Sequence, residues 1–91
     1  MSYTFFMKGG QTVVCSVVGT RRVDMELDNI HGWSVFITRE EENVNGVMAD
    51  RLFVRDEMLR RDTGGVVPNP GDTMEFEFNS RGKLGKIVAL G

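Results

Sequence analysis

Ninety-one residues suffice for one domain with one modest core, because a second core would need roughly 50 residues of its own. Hydrophobic residues at 41% and charged residues at 26% are the balance of a folded globular chain, which sets aside disordered and membrane classes. Eleven basic residues against 13 acidic ones give a net charge of −2, so any attraction to nucleic acid or to an anionic membrane has to be local.

The chain opens with MSYTFFMKGG, which lacks the charged-then-apolar layout of a secretion signal, and Lys8-Gly9-Gly10 signals a turn. TVVCSVV, 12–18, is rich in β-branched residues and apolar on both faces, as in a strand buried on both sides or covered by the N-terminal segment. Residues 1–19 thus either extend the domain or supply its first strand. VDMELD, 23–28, alternates cleanly and predicts a strand with Val23, Met25 and Leu27 inward and Asp24, Glu26 and Asp28 outward. Asn29 to Gly32 reads as a turn, and WSVFIT, 33–38, as a strand. REEEN, 39–43, reads as a solvated loop, followed by a turn at Asn43 to Gly46.

RLFV, 51–54, predicts a strand in which Leu52 and Val54 point one way and Arg51, Phe53 and Arg55 the other. DEMLRRD, 56–62, is the one helical stretch, about two turns long. Pro68-Asn69-Pro70-Gly71 forms a turn into DTMEFEF, 72–78, with Met74, Phe76 and Phe78 inward, and GKIVAL, 85–90, closes the series. Five or six short strands with one helical turn predict an all-β domain spanning 1–91, a small antiparallel barrel that is closed or nearly so.

RLFVRDEML, 51–59, resembles the second ribonucleoprotein motif of cold-shock domains, with Phe53, Val54 and Leu59 fitting and Arg55 in place of a histidine. NPGDTMEFEF, 69–78, is similar to that family's glycine-acid turn and following strand, and RGKLGKIVAL, 81–90, to its basic turn and last strand. HGWSVFIT, 31–38, resembles the first ribonucleoprotein motif, with His31 for its lysine and one extra residue between Trp33 and Phe36. The resemblance covers about residues 31–90 and implies an oligonucleotide-binding (OB-type) barrel. It departs from the family before residue 31, where the expected exposed lysine and tryptophan are missing.

Single-stranded nucleic acid is held by rings that stack on unpaired bases and by cations that follow the phosphates. Phe36 shares the polar face of its strand with Ser34 and Thr38, and Phe53 lies between two arginines, so both rings are candidates for the water-facing side; otherwise they form a cross-strand aromatic pair that stabilises the sheet. Trp33 is either the core's largest piece or, with a bulge beside Gly32, a third outward ring. Arg39, Arg51, Arg55, Arg81, Lys83 and Lys86 are the available cations. Residues 79–91 hold Arg81, Lys83 and Lys86 with no acid, whereas residues 20–42 hold three basic and six acidic residues, so one edge is positive and another negative.

Cys15 is the sole cysteine and His31 the sole histidine, which excludes an intrachain disulfide and a Cys/His metal cluster; no metal or other cofactor is expected. No nucleophile sits with a base at recognisable spacing, so no catalytic residue is assigned. The leading expectation is a cytoplasmic binding module for single-stranded RNA or DNA, RNA favoured, binding weakly and salt-sensitively through Trp33, Phe36, Arg39, Arg51, Phe53, Arg55, Arg81 and Lys83, with no membrane partner. The alternative is a protein-interaction domain, self-association at a sheet edge included, whose barrel has lost its nucleic-acid face to the acidic row Asp24, Glu26, Asp28.

Overall fold

The period-two patterning folds as strands, and the computed structural model, which describes residues 11–91, joins five of them in one antiparallel sheet. In chain order the elements are β1 (Gln11–Met25), β2 (Ile30–Arg39), β3 (Met48–Arg55), α1 (Asp56–Thr63), β4 (Thr73–Phe78) and β5 (Leu84–Ala89). The strands lie in the order β3-β2-β1-β4-β5. The N-terminal part of the 1–19 segment, with its Lys8-Gly9-Gly10 turn signal, falls outside the described residues.

The two strands expected at 12–18 and 23–28 are halves of one. β1 runs 15 residues, pairing β4 through Gln11–Ser16 and β2 through Ser16–Met25. The register slips by one residue between Val17 and Gly19, a bulge that bends the strand and reverses which parity faces the core. Before the bulge Cys15 and Val17 are buried; after it Arg22 and Asp24 share the side of Trp33, while Val23 and Met25 turn to the opposite face. The expected inward row Val23, Met25, Leu27 is therefore corrected: the alternation is real, but the upstream bulge inverts it. β1 ends at Met25, and Glu26–Asp28 make a single 3₁₀ turn closed by Asn29 in the left-handed region (φ 53°), with Leu27 wholly exposed at 102%.

Core side chains come from every element: Cys15 and Val17 of β1, Val35 and Ile37 of β2, Val54 of β3, Leu59 of α1, Met74 and Phe76 of β4, and Ile87 of β5. Each such buried aliphatic or aromatic side chain contributes about 1.5–3 kcal/mol of transfer free energy. Leu52 and Phe78 pack against this cluster from its margin, as their alternation predicted.

The expected barrel is an open sheet here, with β3 and β5 as its two edges. α1 stands beside β5 and accounts for part of that edge. Asp62 accepts a hydrogen bond from the backbone N–H of Ile87 (3.0 Å), and Arg61 donates to the carbonyl of Gly85 (2.6 Å) while gripping Asp62 (2.6 Å). Two helix side chains thus occupy outward backbone groups that a neighbouring strand would otherwise pair. The helix itself follows from its sequence: Asp56 and Glu57 in the first turn and Arg60 and Arg61 in the last complement the helix dipole, and Leu59 is the buried anchor. It stops at Gly64 (φ 67°), whose left-handed backbone lets Gly65 N–H reach back to the Leu59 carbonyl (3.0 Å). Among the described residues no helix is long and apolar enough to cross a membrane.

Candidate nucleic-acid interface

The outer face of β1, β2 and β3 is set by unbroken pairing from Gly32 to Arg39 across β2 and β3. Ser34 lies opposite Phe53, and Phe36 opposite Arg51, so Phe36 and Phe53 are diagonal neighbours on one face, roughly 7–8 Å apart in backbone position. Arg55 follows on that face opposite Gly32. Phe53 is 37% exposed, and Phe36 is half-buried.

Both rings lean on glycine. A Cβ on Gly32 would lie 2.8 Å from Phe53 Cζ, and one on Gly19 would lie 3.6 Å from Phe36 Cδ2. The missing side chains make room for the rings against the sheet, which is why neither is fully exposed. Beside Phe53, a groove of about 340 Å³ is floored by Val23, Met25 and Ile30, with Ser34 at its base and Arg51 and Arg55 along its rim.

The arginines divide by what they touch. Arg22 holds Asp24 (2.9 Å) and Asp56 (2.8 Å), Arg61 holds Asp62, and Arg39 holds Glu41. Arg51 and Arg55 make no ion pair within 4.0 Å among the described residues, so their guanidinium groups are free to meet an anion or a base edge.

Of the residues chosen from sequence, Phe36, Arg51, Phe53 and Arg55 come together. Trp33 does not join them. The bulge that could have turned it outward is in β1, and Trp33 stays on the core side with Val35 and Ile37, its ring covered by the Arg22 guanidinium at 5.6 Å. Arg39 shares that inner side and borders a cavity of about 230 Å³ with Cys15, Asp50 and Leu52, away from Phe53. Arg81 and Lys83 sit in the β4–β5 turn, where the Asn79 side chain accepts both of their backbone N–H groups (2.9 and 3.0 Å), and the structure does not bring them to the Phe53 face. Lys86 borders a larger cavity, about 530 Å³, between α1 and β5, which gathers no aromatic ring. The residues that sequence reading missed are the groove's apolar floor, Val23, Met25 and Ile30; their alternation was legible, their face was not.

The acidic row is also elsewhere. Asp24 lies on the core side of the sheet's rim, bound by Arg22 and by His31 Nδ1 (2.7 Å), and Asp56 joins the same network from the start of α1. Hydrogen bonds from Arg22 hold the Asp24 and Asp56 carboxyls below the usual carboxylate range, and the hydrogen bond to Asp24 raises the His31 imidazole above its ordinary value. Asp24, Glu26 and His31 place one ligand atom each within 4.8 Å of one another, an approach the sequence did not announce. Both Asp24 oxygens already accept hydrogen bonds from Arg22, so the cluster is an ion-pair network with its own internal cation. Cys15, near the other end of β1, is buried, and burial pushes its thiol pKa up.

Compared with protein-family models, curated proteins and solved structures, the chain matches none.

Proposed function

We propose that the outer face of β1–β2–β3 binds single-stranded nucleic acid, with Phe53 and Phe36 as stacking rings and Arg51 and Arg55 as cations. The carrying observation is Phe53, exposed between two arginines that no carboxylate neutralises among the described residues. The strand order supports it. A β1-β2-β3 meander, a helix, and a β4 that returns beside β1 is the layout of an OB-type barrel, a fold that is often partly open and binds oligonucleotides on strands 2 and 3. The likeness of RLFVRDEML and HGWSVFIT to cold-shock motifs points the same way, and the preference for RNA over DNA rests on that likeness alone. A non-catalytic, cytoplasmic role goes with this reading.

Fluorescence anisotropy of an end-labelled, pyrimidine-rich octanucleotide at low salt tests it, a label being needed because Trp33 faces the other side. Micromolar binding is expected, and Phe53→Ala should weaken it about tenfold, since a stacked base contributes roughly 1–3 kcal/mol. Replacing Arg51 and Arg55 together by Ala should flatten the slope of log affinity against log salt by up to about 1.4, roughly 0.7 for each of the two that lies against a phosphate. Absence of saturable binding at 50 mM salt, a concentration of the order at which such contacts are strong, rejects the proposal.

One observation favours a protein partner instead. Leu27, in the 3₁₀ turn that follows β1, leaves a large apolar side chain wholly exposed at 102%. That reading expects a partner whose capture survives nuclease treatment and is lost in Leu27→Asp.

A further inference from the structure

Resting on the nucleic-acid reading above, we infer that the groove beside Phe53 selects keto bases, uracil or thymine and guanine, over the amino bases cytosine and adenine. Its volume of about 340 Å³ lies at the lower end of the range of ligand sites, room for one base and its sugar. The floor is apolar, and the polar side chains at its rim are donors. Arg51 and Arg55 flank Phe53 on the same face, each two residues and so roughly 7 Å along the strand, within reach of the edge of a base lying on the ring. A guanidinium offers only N–H groups, and the Ser34 hydroxyl is the one side chain in the lining able to accept strongly. No Asp, Glu, Asn or Gln side chain lines the groove, and the nearby Asp24 and Asp56 are held by Arg22 on the other side of the sheet.

The consequence is chemical. A keto oxygen meets a donor, and guanine can take both donors of one arginine on O6 and N7. The exocyclic amino group of cytosine or adenine presents N–H to N–H and leaves a hydrogen bond unmade. The groove therefore discriminates by what its rim lacks.

The test is competitive anisotropy with octauridylate and octacytidylate, pyrimidines of equal size and backbone charge that differ at position 4, and with octainosinate against octaadenylate as the purine pair. Octauridylate is expected to bind at least about fivefold tighter than octacytidylate, a ratio that falls to near one in the Arg51→Gln, Arg55→Gln double variant, since glutamine both donates and accepts. Circular dichroism checks that this surface variant stays folded. Equal affinity for the keto and amino oligomers by the native chain overturns the inference and leaves the binding face standing. A preference that persists in the glutamine variant overturns its assignment to the arginines. No binding of any oligomer removes the binding face itself.

Discussion

Gly32 shows how a single missing atom group shapes the candidate site. A Cβ there would stand 2.3 Å from the Val54 carbonyl oxygen and 2.8 Å from Phe53 Cζ, and the nearer obstacle is backbone that cannot swing away. Gly32→Ala is therefore expected to cost about 1–3 kcal/mol, read as a fall of several degrees in thermal midpoint by circular dichroism. Gly19→Ala is the control. Its added methyl would meet the Phe36 ring at 3.6 Å, ordinary contact, and the midpoint should move much less. From the sequence Gly32 looked like part of a turn beginning at Asn29; only Asn29 takes a left-handed backbone, and Gly32 sits within β2 because an aromatic ring on β3 occupies the space a side chain would need.

At the scale of elements, side chains do work that sheet ladders leave undone. Asp62, its side chain only 6% exposed, satisfies the buried Ile87 amide, so Asp62→Ala should strand that N–H and cost about 1–3 kcal/mol. Amide hydrogen exchange should show Ile87 losing protection well before the β1–β2 ladder does. The network around Arg22 ties β1, β2 and α1, and its pH dependence has a definite sign. Asp24 and Asp56 have depressed pKa values, so their contribution is full above the unfolded carboxylate range near 4 and is lost as pH falls through the depressed folded values. His31 has a raised pKa, so its contribution is full below about 6.5 and is lost as pH rises through the raised folded value. The thermal midpoint should accordingly peak in the mildly acidic range. His31→Ala should flatten the decline on the neutral side, weaken the Asp24 part of the acid limb and leave the Asp56 part in place, as midpoints measured from pH 3 to 8 would reveal.

For the molecule as a whole, period was legible in the sequence and orientation was not. RLFV and WSVFIT could be read correctly because nothing interrupts their pairing, so Phe36, Arg51, Phe53 and Arg55 share the face their alternation gives them. VDMELD could not, because the bulge between Val17 and Gly19, whose one sign in the sequence is Gly19, inverts everything downstream in β1. The covering of the β5 edge was equally hidden: the pattern of Arg61 and Asp62 reads as the solvated end of a short helix, and only the packing reveals that they serve the backbone of β5. The sequence also offered Arg39, Arg81 and Lys83 on charge alone, which carries no information about which side a cation reaches.

The join between α1 and β5 bears on how the molecule breathes. Releasing Arg61 and Asp62 frees the outer margin of β5 without cutting a single rung between β1, β2 and β3. An opening on the α1 side thus leaves the pairing under the Phe53 surface intact.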